Sequence, residues 1–302
     1  MNIQHTASIR LYDPLLYRLF FLIICLSPLQ FALSAESHPP STGKTFSGKQ
    51  GEILWIEVPV NNSQAKVSGV LLKRKIPFFS VTDTSVAAIV GIDMQDPPGI
   101  QKLNITIHSP TKTEHLTYSI TIIKEDYAVQ HLKLPKNKVD LDSKTLKRVR
   151  REQKEMSAAF HHIGTQPLWE SVFIEPVKGT VTGRFGSRRV INGQQKRPHS
   201  GEDIAAPQGT PVYVINTGTV AATMDHFFSG KGVVIDHGVG LFSMYFHLSE
   251  ISVQPGQALK KGEVLGKVGS TGRATGPHLH WGIRINGARV NPYSLMALPL
   301  EN

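Results

Sequence analysis

His278-Leu279-His280-Trp281-Gly282-Ile283-Arg284-Ile285 alternates between two kinds of side chain. Leu279, Trp281, Ile283 and Ile285 hold one set of positions; His278, His280 and Arg284 hold the other. A period of two marks a β-strand, whose successive side chains point to opposite faces. The apolar set must face a core, which sends His278, His280 and Arg284 to the opposite, accessible side. Two imidazoles spaced this way have Cβ atoms roughly 6 to 7 Å apart on one strand face. The stretch therefore predicts a β-sheet and reserves two histidines for chemistry.

Upstream, Leu241-Phe242-Ser243-Met244-Tyr245-Phe246-His247-Leu248 repeats the pattern. Phe242, Met244 and Phe246 form the hidden set, and Ser243, Tyr245 and His247 the presented one. Glycines punctuate the chain from Gly179 to Gly287. Val212 and Val214, then Val220 and Ala222, flank Gly218 as a hairpin, and residues 256–266 offer more short strands and tight turns. Residues 170–297 read as one all-β domain, followed by a tail over 298–302.

The amino-terminal half is also β. Between Ile53 and Ile123, short apolar runs alternate with turn signals at Asn61-Asn62-Ser63, Asp96-Pro97-Pro98-Gly99 and Ser109-Pro110-Thr111. Leu103, Ile105 and Ile107 oppose Asn104, Thr106 and His108, and Leu116, Tyr118, Ile120 and Ile122 repeat the alternation. Residues 48–126 read as a small immunoglobulin-like β-sandwich, a spacer or binding module. Residues 36–47, rich in Ser, Pro, Gly and Lys, read as a flexible leader. Residues 127–169 form a basic linker in which Asp142 or Ser143 caps a helix through Leu146, Val149 and Met156 toward Phe160. Its cations, among them Lys136, Lys138, Lys147, Arg150, Arg151 and Lys154, either contact an anionic polymer or form a solvated face.

The chain has 302 residues with 40% hydrophobic and 19% charged side chains, which excludes a disordered tail or a collagen-like repeat and suits two folded domains. Its single cysteine excludes a disulfide scaffold and a cysteine-ligated zinc finger, so a metal must be held by His and carboxylates. Arg10 and Arg18 precede an apolar run from Leu19 to Leu26, continued to Leu33 and closed by the small residues Ser34 and Ala35. This is the pattern of a secretory signal peptide over 1–35, with a retained anchor as the alternative. Pro28 and Gln30 interrupt the run short of the ~20 apolar residues of a spanning helix, so no integral span is expected after cleavage. Cys25 follows Ile24, not a small residue, and is read as filler. The formal net charge of +10, lowered by one on cleavage, suits nucleic acid, anionic lipid or an anionic cell-wall polymer alike, and export to the periplasm or cell envelope argues against nucleic acid.

Within the second β domain lie His199-Ser200-Gly201-Glu202-Asp203 and, further on, His278-Leu279-His280. Gly201 and the following Pro207 make the first segment extended or turning. Two neutral imidazole nitrogens and one carboxylate oxygen suit Zn²⁺ and leave a fourth tetrahedral position for water, the open arrangement of a catalytic site. No serine with an aspartate partner accompanies these histidines, which argues against a serine-protease triad. No Asp-Lys or Met-Lys hairpin tip marks a lipoyl-like carrier.

The run Gly183-Arg184-Phe185-Gly186, Asn192-Gly193, Pro198-His199-Ser200-Gly201-Glu202-Asp203-Ile204-Ala205-Ala206-Pro207, Met244-Tyr245-Phe246-His247-Leu248 and Gly276-Pro277-His278-Leu279-His280 resembles the LytM-type zinc endopeptidases of peptidase family M23. The resemblance covers roughly residues 170–297. It implies a LytM-type β-sheet catalytic domain, one Zn²⁺ per chain and hydrolysis of peptide bonds in bacterial peptidoglycan, in cross-links or stem peptides. It makes His199, Asp203 and His280 the zinc ligands and His278 and His247 the catalytic pair. One of that pair would accept the proton of the attacking water and the other would steady the oxyanion, in an order the sequence leaves open. Glu202 stands where relatives often have an apolar residue and is expected to add charge near the metal. His237 is expected to be structural and His226 a loop residue. A catalytically silent wall binder or amidase activator of the same fold is the alternative, and a regulatory protein partner is unidentified.

Overall fold

A computed structural model describes residues 41–61, 64–136 and 139–300. The expected signal peptide, Lys138 and the last two residues lie outside the described residues. Among the described residues no helix is long and apolar enough to cross a membrane.

The amino-terminal strands are β1 (Ser41–Lys49), β2 (Ile53–Pro59), β3 (Lys66–Leu71), β4 (Arg74–Pro77), β5 (Phe79–Thr82), β6 (Ser85–Gly91), β7 (Gly99–His108) and β8 (Thr113–Ile123). They form a five-stranded sheet in the order β1-β8-β7-β3-β4 and a three-stranded sheet in the order β2-β6-β5. Leu103, Ile105 and Ile107, with Tyr118, Ile120 and Ile122, point inward against Ile56, Val58, Ala88 and Val90 of the smaller sheet. This is the sandwich the alternation predicts. The smaller sheet is buried on its other face too: Ile53, Phe79, Ala87 and Ile89 join the core of the carboxy-terminal half. A strand covered on both sides reads as a continuous apolar run, which explains Val86–Val90.

The flexible leader is corrected over residues 41–47. They belong to β1, which runs parallel to β8 with Phe46 opposite Ile120. An edge strand held by main-chain pairing along β8 needs no apolar alternation. Gly43 lies so close to the Tyr118 ring that a Cβ would collide with it, so it marks a close approach and not a hinge.

Between the halves run β9 (Val129–Leu132) and α1 (Ser143–Ala158). Asp142 caps the helix, its Oδ1 accepting from the Thr145 amide at 2.7 Å. Met156 and Phe160 pack against Phe242 and Met244. Glu152 is buried in the contact and accepts from the Phe227 amide at 2.9 Å.

The carboxy-terminal half contains β10 (Thr180–Gly183), β11 (Arg188–Ile191), β12 (Gln194–Gln195), β13 (Glu202–Ala205), β14 (Pro211–Tyr213), β15 (Gly218–His226), β16 (Gly230–Asp236), β17 (Leu241–Ile251), β18 (Ala258–Leu259), β19 (Val264–Val268), β20 (His278–Ile285), β21 (Ala288–Val290) and the short α2 (Pro292–Met296). Ten of the strands form one sheet along β10-β13-β20-β17-β16-β15-β18, with β14, β19 and β21 attached. Strands β12, β11 and β9 form a separate small sheet. Leu279, Trp281, Ile283 and Ile285 are fully buried in the main core, as their alternation requires.

Two expectations change here. Gly218 is not a hairpin turn: β14 pairs with β19, and β15 pairs with β16 and β18. At Gly218 a Cβ would strike the Asp236 carbonyl, so the glycine serves strand contact. His226 is not in a loop but ends β15, with Nε2 3.1 Å from Glu155 Oε2 of α1.

Candidate metal centre

The site grows from the pairing of β13 with β20. Their antiparallel register sets Asp203 opposite His280 and Ala205 opposite His278. Directly opposed residues share a sheet face with Cβ atoms about 5 Å apart, so a carboxylate and an imidazole meet without special loop geometry. His199 reaches them from the loop before β13. Its amide donates to the Ser187 carbonyl at 3.0 Å and its own carbonyl accepts from Gly186 at 2.8 Å. At Gly201 a Cβ would press on the His280 ring and the Trp281 carbonyl, so only glycine lets this loop come close enough.

Three atoms converge. His199 Nε2 lies 2.9 Å from His280 Nδ1 and 2.9 Å from Asp203 Oδ1, and His280 Nδ1 lies 2.8 Å from Asp203 Oδ1. All three residues are buried, and each can offer one ligand atom to the same ion. His199 Nδ1 donates to the Arg184 carbonyl at 3.0 Å, which leaves Nε2 with its lone pair turned toward the other two donors. Lone pairs this close are stable together around a proton or a cation, and the donor types suit a divalent metal. The other Asp203 oxygen, Oδ2, accepts from Arg189 on β11 at 2.5 Å. Burial alone would raise the Asp203 carboxyl, but its contacts with His199 and His280 outweigh this and hold it well below the usual carboxylate range. Burial lowers His199 to about 4, so it is neutral near pH 7.

His247 and His278 flank these donors. Their ring centroids are 4.7 Å apart, and His278 Nε2 lies 3.8 Å from Asp203 Oδ1. Each ring is oriented by a main-chain carbonyl: His247 Nδ1 donates to Thr271 and His278 Nδ1 to Gly276, both at 2.8 Å. Both Nε2 atoms are thereby left as acceptors. Burial, followed by the neighbouring His280 and His278, pushes His247 down to about 3. The five side chains predicted for the site are thus brought together. Asp203, His247 and His278 line a cavity of about 270 Å³ whose wall also carries Arg189, Arg273 and Leu132.

Three details depart from the sequence reading. Along β17, Ser243 and Tyr245 are not presented but fully buried in the main core, with the Ser243 hydroxyl donating to Tyr245 Oη at 2.9 Å. Phe242, Met244 and Phe246 occupy the other face, where α1 packs and where Phe246 stacks on His280 at 5.7 Å. Simple alternation would send His247 into the main core; its φ of 65° makes a bulge that turns it back to the His280 face and returns Leu248 to the core. The face of β20 expected to be accessible is partly covered: His280 is buried, and Arg284 lies over the Phe160 ring at 4.7 Å. Phe160, just past the end of α1, covers Arg284, and the Phe246 ring covers His280. Glu202 does not face the donors either. Strand alternation sends it behind Asp203, where Oε1 accepts from the Phe185 amide at 3.1 Å and burial raises its pKa.

His237 is structural, as expected. It is fully buried, with Nδ1 donating to the Thr217 carbonyl and Nε2 2.8 Å from Ser243 Oγ. The sequence reading missed Arg189, Thr271 and Gly276. Thr271 and Gly276 act through main-chain carbonyls and carry no side-chain signal, while Arg189 is visible only once β11 is placed beside β13.

The family model for "Peptidase family M23" matches residues 197–292. Over 116 residues the chain is 43% identical to the peptidoglycan DD-endopeptidase ShyA of Vibrio cholerae, covering 38% of this chain and 27% of that protein. Over 127 residues it is 46% identical to the DD-carboxypeptidase/endopeptidase Mpg of Neisseria meningitidis, covering 42% of this chain and 29% of the relative. The match thus spans less than a third of these curated relatives. A solved structure of a candidate M23 peptidase from Pseudomonas aeruginosa matches with a TM-score of 0.63 and 32% identity, covering 80% of this chain and 92% of that one. With the site geometry and this coverage together, the chain belongs to peptidase family M23.

Proposed function

We propose that this protein is a zinc-dependent endopeptidase, exported to the periplasm or cell envelope, that hydrolyses peptide bonds of bacterial peptidoglycan. The observation that carries the reading is the convergence of His199 Nε2, Asp203 Oδ1 and His280 Nδ1 within 2.9 Å, beside two further imidazoles in one cavity. Donors around a tetrahedral zinc stand roughly 3.3 Å apart at ~2.0 Å from the ion, so small outward movements would admit it. The relatives named as DD-endopeptidases support peptidoglycan as substrate. The amino-terminal signal pattern supports export.

In this reading His199, Asp203 and His280 hold the metal, and Arg189 fixes the Asp203 carboxylate. Bound zinc supplies Lewis acidity toward the scissile carbonyl and lowers the pKa of water. The chain's own groups handle the proton. His247 and His278, each with Nδ1 tied to a carbonyl, present Nε2 atoms that can accept the proton of the attacking water. The partner imidazole, entering protonated from solvent, would donate a hydrogen bond to the tetrahedral oxyanion, and the proton taken from water would pass on to the leaving amine. A silent wall binder of this fold would be expected to have lost one of the five side chains, and all five are in place. The test is digestion of purified sacculi by zinc-loaded protein, with products identified by mass spectrometry. Chelation should abolish release of peptide fragments and added Zn²⁺ should restore it; fragment release that persists under chelation would refute the reading.

A further inference from the structure

Two arginines line the cavity beside His247 and His278, and they are differently engaged. Arg189 is committed, with one terminal nitrogen on Asp203 and Nε on Gln130 Oε1 at 3.3 Å. Arg273 has no carboxylate partner among the described residues. It is nevertheless held in place: its amide donates to the Phe228 carbonyl at 2.9 Å and its guanidinium lies over the Phe228 ring, 4.2 Å from the centroid. Stacking supports one face of the guanidinium and leaves its N–H edge for a ligand. The loop bearing it also orients the site, because Thr271, two residues earlier, receives the His247 Nδ1 proton. Burial and the Arg189 charge both act against protonated Arg273, so an unpaired cation is kept at a cost that an arriving anion would relieve.

We propose that Arg273 reads a free carboxylate on the residue supplying the amine side of the scissile bond, and thereby selects D,D-linked peptides over glycine bridges and amidated cross-links. The inference rests on the peptidoglycan reading above. The chemistry favours a carboxylate because a planar guanidinium fork binds one through two parallel N–H···O bonds. A D,D cross-link to a diamino acid carries a free carboxylate one carbon from the scissile nitrogen, as does a terminal D-alanyl-D-alanine. A bond inside a glycine bridge has no such group. Arg273 is therefore a specificity residue, while the proton chemistry stays with His247 and His278.

The test compares three synthetic substrates with the zinc-loaded full chain: a D,D-cross-linked peptide dimer with its free carboxylate, the same dimer amidated there, and pentaglycine blocked as its C-terminal amide. Wild type should cut the free-carboxylate dimer with kcat/KM roughly 10- to 100-fold above the amidated dimer, the range of a charge-assisted hydrogen-bond pair. Arg273→Gln should lose a similar factor on the free dimer, chiefly through KM, and far less on the amidated one. Arg273→Lys should fall between, because charge without the fork restores part of the contact. Equal losses on both dimers in Arg273→Gln, or wild type cutting both dimers equally, would overturn the Arg273 assignment and leave the endopeptidase reading standing. If Arg273→Gln fails to fold, the wild-type comparison decides alone. No cleavage of any of the three peptides would remove the endopeptidase reading and this inference with it.

Discussion

His247 and His280 are both buried imidazoles with ring centroids 6.1 Å apart, yet the proposed roles separate them. His280→Ala removes one of three metal donors and should lose metal and activity together. His247→Ala should keep about one zinc per chain and lose at least ~100-fold in turnover, the usual share of a general acid or base. Metal content and kcat measured on the same preparations check both; a His247→Ala protein of normal turnover would contradict the assignment. Arg189→Met leaves Asp203 without its orienting partner and should weaken zinc binding by roughly 10- to 100-fold in competition with a chelator. His237, outside the metal site, supports a separate prediction. Burial lowers it to about 4 from the ordinary 6.5, so between those values the unfolded chain binds a proton that the folded chain refuses. Its contribution is fully present above pH 6.5 and is lost as pH falls toward 4. Denaturant titrations should show a shallower decline over this window in His237→Gln than in wild type. The five site residues were legible because imidazole and carboxylate side chains carry their chemistry in their names. Thr271, Gly276 and Arg184 were not, because their contributions are carbonyls that any residue possesses.

Strand pairing does most of the positioning. The β13–β20 register brings Asp203 to His280, and the Gly201 approach brings His199 to both. Gly201→Ala would set a methyl against the His280 ring and the Trp281 carbonyl, and should cost metal affinity while leaving far-ultraviolet circular dichroism close to wild type. Unchanged zinc affinity in that variant would show that the loop has room the contact geometry denies. The alternation in β20 was legible because one of its faces is wholly apolar. β17 was misread because both its faces are buried: α1 covers Phe242 and Met244, so a period of two no longer separates inside from outside. The bulge at His247 could not be read at all, since positive φ at a histidine leaves no mark in composition. Gly218 misled for the opposite reason, as glycine marks close backbone approach as readily as a turn.

Across the described residues the two β halves share a core. Phe79, Ala87 and Ile89 of the sandwich pack in the same cluster as Trp169, Ile283 and Val290. Arg289 forks onto Asp93, with Nε 2.9 Å from Oδ2 and a terminal nitrogen 2.7 Å from Oδ1. Burial pushes the Asp93 carboxyl up, but hydrogen bonds and charge from Arg289 prevail and hold it below the ordinary 3.8. A depressed carboxyl stabilises the fold above its unfolded pKa and loses that contribution as pH falls through its folded one. Stability should therefore drop further below pH 3.8. Asp93→Ala, which strands Arg289 in the contact, should cost about 2 to 3 kcal/mol in denaturant unfolding at pH 7. A change within 0.5 kcal/mol would mean that the apolar contact alone joins the halves. The sandwich and sheet were legible separately from their periodicities, but their union was not, because the second buried face of β6 looks in sequence like any apolar strand.

Anomalous scattering at the zinc edge, from crystals of the zinc-loaded protein, addresses the metal assignment most directly. The predicted result is one peak at ~2.0 to 2.2 Å from His199 Nε2, Asp203 Oδ1 and His280 Nδ1, with His247 and His278 outside bonding distance. A peak ligated by any other set of side chains, or no peak among these three, would contradict it.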